Sequence, residues 1–149
     1  MIRFRPATRA DVPAVIALLI DDDLGKAREQ GDMSVYLAAF DAMQSEGGSH
    51  LIVGEDDTGR ILATYQITFI SGLSLRAARR AQIESVRVAS DLRGQGVGRQ
   101  MFADAEARAR EAECSLMQLT MNQSRTESHQ FYRALGFIPS HTGFKRTLD

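Results

Sequence analysis

The chain has 149 residues, 44% of them hydrophobic and 25% charged, which suits one domain with a core of its own. Lys plus Arg is 18 against 19 Asp plus Glu, a net charge of -1, so the broad positive field used in non-specific nucleic-acid binding is absent. A lone cysteine, Cys114, excludes an internal disulfide framework and a Cys-based zinc cluster, and no apolar run reaches the ~18 residues of a membrane span.

The opening MIRFRPATRADV lacks the apolar stretch of a signal peptide, so a cytoplasmic protein is expected. Ile2 to Arg5 alternates apolar and basic residues and predicts a first strand. Thr8 and Asp11 offer a capping box for a helix whose apolar face is Val12, Val15, Ile16 and Leu19, with Pro13 tolerated in its first turn. Asp21-Asp22-Asp23-Leu24-Gly25 breaks that pattern. These aspartates either form a solvated acidic turn or attract a cationic amine.

A second helical face follows with Met33, Tyr36, Leu37 and Phe40, ended by Gly47-Gly48. His50 to Glu55 predicts a strand, Asp56 to Gly59 a hairpin turn, and Arg60 to Ile70 a well-alternating strand. Tyr65 and Phe69 share one face of it and belong either to the core or to a pocket wall. Gln82 to Val88 is the next strand. Val97, Met101, Ala105, Ala109 and Ala112 then stripe a helix. A strand over Leu116 to Met121, a helix over Ser124 to Leu135 and a last extended segment from Gly136-Phe137 complete the chain. The order β-α-α-β-β-β-α-β-α-β describes one domain over residues 1–149, an α/β fold with helices on a mixed sheet.

Between the strand ending at Val88 and the helix starting near Val97 lies Arg93-Gly94-Gln95-Gly96-Val97-Gly98. Glycines at such a junction leave unpaired amides converging at the positive end of a helix dipole, a site suited to phosphate. The bland alternative is a glycine-rich turn that binds nothing. GxxxxGK[ST] is absent. The dinucleotide pattern fails because Arg99 or Met101 stands where a third small residue is required, and the next strand ends in Asn122 with no ribose-binding acid. His50, His129 and His141 are scattered and HExxH is missing, so no metal site is expected.

Arg93-x-x-Gly96-x-Gly98 after Val86-Arg87-Val88 resembles the acetyl-CoA-binding motif of the GCN5-related N-acetyltransferases (GNAT), Q/R-x-x-G-x-G/A. Leu116 to Asn122 followed by Phe131-Tyr132-Arg133-Ala134-Leu135-Gly136-Phe137 is similar to the family's second CoA segment with its FYxxxGF ending. The resemblance follows the element order of the whole chain and is strongest from Gln82 to Phe137. It implies a mostly antiparallel central sheet and acetyl-CoA as co-substrate. It further implies that Val86 and Val88 pair with the pantetheine arm through their backbone, and that Arg93, Gly94, Gln95, Gly96, Val97 and Gly98 hold the pyrophosphate. Arg99 is either a phosphate contact or a surface arginine, and Asn122 either a CoA contact or a turn residue.

Tyr132 is the candidate general acid, because a departing thiolate needs a proton and a phenol beside it can supply one. Its alternative is an aromatic on the core edge. Glu84, two residues before Val86 and placed by strand alternation on the same face, is a candidate base for an ammonium substrate, or a substrate-binding or ion-paired carboxylate. A bulge would change which side chains share that face. His129 is read as a surface residue and Cys114 as inert packing.

The expected activity is acetyl transfer to a primary amine of a small molecule or peptide, without a metal, and the resemblance implies a homodimer, a state frequent in the family. The rivals are a CoA-binding regulatory module without turnover and an acyltransferase using another acyl-CoA. A tRNA-directed enzyme would need a basic face, for which Arg76, Arg79, Arg80 and Arg87 are a local candidate patch.

Overall fold

A computed structural model describes residues 1–21, 29 and 31–149. Among these, five strands form one sheet in the order β1-β2-β3-β4-β5: Arg3–Pro6, Ser49–Glu55, Ile61–Ile70, Arg80–Val88 and Leu116–Leu119. The first four run antiparallel to their neighbours, and β5 lies parallel to β4. Among the described residues, the helices of more than one turn are α1 (Val12–Ile20), α2 (Met33–Glu46), α3 (Val97–Glu111) and α4 (Thr126–Ala134).

The capping box forms as the sequence suggests. Asp11 accepts from the Thr8 amide at 2.7 Å and from its hydroxyl at 3.1 Å, and Pro13 falls in the first turn of α1. Gly47 ends α2 at φ 76, in the left-handed region that glycine enters at little cost. The β2–β3 hairpin closes with Asp56 accepting from the Thr58 amide at 2.9 Å and Gly59 at φ 86.

Both faces of the sheet are covered. On one, the α3 stripe of Val97, Met101, Phe102, Ala105 and Ala109 packs on Ile52, Ala63, Tyr65, Ile67, Ala81 and Ile83. On the other, Val12, Val15 and Ile16 of α1 and Phe40 of α2 bury Val53. The predicted stripes supply most of these contacts, whereas Met33 at the start of α2 is 37% exposed and Ala112 lies past the end of α3.

One element differs. The extended segment after Gly136 joins no ladder of the described sheet, and residues 138–149 are exposed. Pro139 has no amide to donate, and the Ser140 amide turns back to the Ile138 carbonyl at 2.8 Å in a three-residue turn.

Candidate functional site

The parallel pairing of β4 with β5 runs from Arg80–Leu116 to Ile83–Leu119 and stops. Two residues on, Ser85 has φ 54, and the register against β3 slips, so that Glu84 faces Gln66 while Arg87 faces Thr64. That extra residue is a bulge, which bends a strand and re-aims its side chains. Beyond it the β5 side of β4 has no ladder partner among the described residues. The Ala89 amide donates to Leu62 of β3 at 2.8 Å, so strand alternation turns the amides of Val88 and Val86 away from β3, into the opening. The Val86 carbonyl on that side accepts a 2.9 Å bond from Arg87 Nη1.

The bulge also corrects one expectation. Thr64 and Gln66 share a face of β3, so their partners Arg87 and Glu84 share a face of β4; Glu84 does not share one with Val86. Glu84 is exposed at the last residue before the bulge.

Past Val88 the chain makes one 3-10 turn, Ser90–Leu92, and enters the glycine loop. Gly94 and Gly96 have φ 80 and 82, and a Cβ built on either would meet nothing within 4 Å. Their backbone is thus both left-handed and open to approach. The first intrahelical bond of α3 is Gln100 N–H to Gly96 O at 3.2 Å, which leaves the amides of Val97, Gly98 and Arg99 for an external acceptor at the positive end of a 15-residue helix.

Loop side chains are engaged elsewhere. Arg93 Nη2 donates to the Asp21 carbonyl at 3.2 Å and Gln95 Nε2 to the Asp91 carbonyl at 3.3 Å, while Arg99 is exposed. Gly98 differs from its neighbours, because a Cβ there would stand 2.9 Å from Phe131 Cζ. Its missing side chain lets α4 pack against the first turn of α3.

Asp21 ties the end of α1 to this loop, accepting from the Ser90 amide at 3.0 Å and the Ser90 hydroxyl at 3.3 Å. Those bonds hold its carboxyl below the ordinary range. Asp22 and Asp23 lie outside the described residues.

Tyr132 stands in a ring cluster with centroids 5.5 Å from Phe102, 5.3 Å from Phe131 and 6.0 Å from Phe137, all edge to face. Burial pushes its phenol above the ordinary value, and the positive charges of Arg125 and Arg87 pull the other way. Neither arginine was singled out from the sequence as a neighbour of Tyr132. The available signal was Arg125, seven residues and two helical turns ahead of Tyr132. Asn122 forms a turn, its carboxamide oxygen accepting from the Ser124 amide at 2.9 Å and hydroxyl at 2.6 Å, which leaves its Nδ2 donors for other partners.

Tyr65 proves to be core. It is 1% exposed, its hydroxyl donates to Asp104 at 2.6 Å, and Arg108 donates to the same carboxylate oxygen at 2.8 Å. Burial first, and then that bond, push its phenol far above the usual range. Phe69 stacks with His50 at 5.4 Å and lies under Arg79. The arginines of the supposed basic face part ways: Arg79 bonds the Ala112 carbonyl and Ser71, whereas Arg87 turns to Val86. His129 is exposed, and Cys114 packs against the core. Among the described residues, no group of three or more His, Cys, Asp or Glu side chains could hold a metal ion, and no helix is long and apolar enough to cross a membrane.

A model of the acetyltransferase (GNAT) family matches residues 15–137. The chain belongs to that family. A solved structure described as a transcriptional regulator from Bacillus halodurans C-125 is 36% identical, with a TM-score of 0.93 over 99% of this chain and 100% of that one. A putative acetyltransferase from Agrobacterium tumefaciens is 27% identical, with a TM-score of 0.85 over 98% and 99%. Among curated proteins, an aminoalkylphosphonate N-acetyltransferase from Salmonella typhimurium is 37% identical over 67 residues, 45% of this chain and 44% of that enzyme. The matched stretch is thus less than half of the Salmonella protein. GNAT chemistry is the transfer of an acetyl group from acetyl-CoA to an amine, and the five-stranded mixed sheet flanked by helices is the architecture these relatives share.

Proposed function

We propose that this chain acetylates the primary amine of a small molecule or peptide, using acetyl-CoA, by direct attack with both substrates bound. The observation that carries the proposal is the released half of β4. Val86 and Val88 turn their amides into an opening that leads directly into the glycine loop.

The loop suits a pyrophosphate because Gly94 and Gly96 leave room for close approach and three helix amides await an acceptor. Arg93, Gln95 and Asn122 would support that site around bonds they already make, and Arg99 from the exposed first turn. Val86 and Val88 would hold the pantetheine arm as an added strand does, and one of their amides would stabilise the oxyanion at the acetyl carbon. Acetyl-CoA supplies an activated acetyl group on a thiol leaving group. Glu84, at the mouth of the opening, would receive the ammonium proton through water or hold the acceptor. Tyr132 would give its proton to the departing sulfur. We expect a cytoplasmic homodimer to be the working form.

The test is release of free thiol from acetyl-CoA across aminoalkylphosphonates, polyamines, amino sugars, amino acids and peptides, with the wild type beside Tyr132→Phe. Turnover with one amine class, lowered about 100-fold or more in the variant while the Kd for CoA stays put, is the expected outcome. Turnover unchanged in the variant removes Tyr132 as the acid. Acetyl-CoA binding with no turnover on any amine favours a regulatory module, the reading that the Bacillus neighbour's description suggests. A preference for a longer acyl-CoA would replace the donor and keep the site.

A further inference from the structure

We propose that the sheet face turned away from α3 holds the acceptor subsite, a row of uncharged polar side chains leading to Glu84. Its occupant is a primary amine on a neutral, hydroxylated skeleton, the chemistry of an amino sugar. The inference rests on the proposed acetyl transfer and names the acceptor class for it.

Strand alternation gives β3, β4 and β5 two unlike faces. Ile67, Ala81, Ile83, Met117 and Leu119 belong to the core packed with α3. The residues between them point the other way, and there the sheet is polar. Ser49 pairs with Thr68, Thr68 with Gln82, and Gln82 with Gln118, so one straight row crosses from β2 to β5. Hydrogen bonds fix it at both ends. The Ser49 and Thr68 hydroxyls lie 2.9 Å apart, and Gln118 Nε2 donates to Gln82 Oε1 at 2.7 Å. The next row toward the bulge sets Gln66 beside Glu84.

This face is open to a ligand. Glu84 and Gln118 are exposed, and Ser49, Thr68, Gln66 and Gln82 are half-buried. Three strand spacings make the row about 14 Å long, and two residues of strand separate it from Glu84 by about 7 Å. That is room for a ring of hexose size with its substituents. The bond between the glutamines also orients them, leaving the Gln82 Nε2 hydrogens and the Gln118 Oε1 lone pairs for a ligand. A hydroxyl donates and accepts at once and so satisfies such a pair, whereas an ion would find no counter-charge in the row.

The charges lie at the margins. Arg80, on the same face, holds its Nη1 at the β3–β4 turn, where a Cβ on Gly72 would stand 3.2 Å from it. Arg87 lies past the bulge and bonds the Val86 carbonyl. Glu84 is the carboxylate flanking the row, two residues before Val86, where the thioester would lie. An ammonium held there is placed for attack, with its hydroxylated body over the glutamines.

The experiment measures by calorimetry the Kd of glucosamine, and of its hydroxyl-free counterpart cyclohexylamine, for the CoA-bound protein. Wild type is compared with Gln82→Met, Gln118→Met and Glu84→Gln. Wild type should bind glucosamine about tenfold or more tighter than cyclohexylamine. Each Met variant should weaken glucosamine about three- to tenfold and leave cyclohexylamine unmoved, whereas Glu84→Gln should weaken both about tenfold or more. Gln118 is exposed on the last strand, so its variant reads the row even if Gln82→Met unfolds. Equal affinities in wild type, or a Met variant that weakens both amines alike, overturn the proposal. Tighter binding of 2-aminoethylphosphonate than of glucosamine overturns it too, since the row would then hold an anion. Glucosamine bound in the expected pattern but never acetylated keeps the subsite and refutes the transfer reading instead.

Discussion

The two halves of β4 carry different loads. From Arg80 to Ile83 the strand is laddered on both sides, and its core-facing side chains Ala81 and Ile83 are 0% and 1% exposed. From Val86 to Val88 it is laddered on β3 alone, its side chains are half-buried, and its other edge is open. Between them stands a single bulge, with Ser85 in a left-handed conformation that a serine enters only at a cost. One extra residue thus divides a strand into scaffold and binding edge. Edges that proteins usually cover are aggregation hazards; here the edge is short, three residues long, and Arg87 caps one of its carbonyls.

The division can be tested from each side. Ile83→Ala strikes the laddered half, emptying a site packed against α3. We expect a loss of about 2–5 kcal/mol in unfolding free energy by urea titration, with the Kd for acetyl-CoA unchanged while the protein stays folded. A large loss of affinity at full folding would mean the halves are not separable. Glycine substitutions probe the open side with smaller effects. Gly96→Ala forces a side chain into φ 82 with no neighbour in the way, so about 1–2 kcal/mol should appear, chiefly as weaker acetyl-CoA binding by calorimetry. Gly98→Ala instead drives Phe131 from its place 2.9 Å away. Because Phe131 and Tyr132 are in ring contact, kcat should fall more than KM rises.

This contrast also shows what the sequence made legible. Helix stripes such as Val97, Met101, Ala105 and Ala109 are local in pattern, and the core-facing helices followed from them. The glycine loop was visible because Gly94 and Gly96 sit between a strand and a helix. Gly98 was visible as a glycine but not for its reason, since Phe131 lies 33 residues away in the chain. The Ser85 bulge left no local mark, for serine has no special liking for φ 54, and simple alternation therefore put Glu84 on the wrong face. The same blindness hid the positive charges that act on the Tyr132 phenol, because Arg87 on β4 lies 45 residues ahead of it in the chain. The final strand failed for the opposite reason. Its local composition was extended enough, but Pro139 and the turn at Ser140 withhold the amides a ladder needs.

The far edge of the sheet supplies a control for the comparison, with the smallest expected effect. Arg5 on β1 grips Asp11 through two bonds of 2.7 and 3.1 Å and reaches Glu55 at 3.2 Å. The Arg5 bond, and then the Thr8 amide, hold the Asp11 carboxyl below its ordinary value. A depressed carboxylate contributes stability that is fully present above its unfolded value, near 3.9, and is lost as pH falls through the lower folded value. Asp11→Asn should therefore cost about 1 kcal/mol at neutral pH, from the weakened cap and ion pair. The gap in Tm between variant and wild type should close progressively below about pH 4. Acetyl-CoA affinity should not change, since the pair lies at β1, with β2 and β3 between it and β4. A gap that persists at low pH would assign the loss to packing rather than charge, while a change in affinity would mean that the open half of β4 depends on the whole sheet and not on its bulge alone.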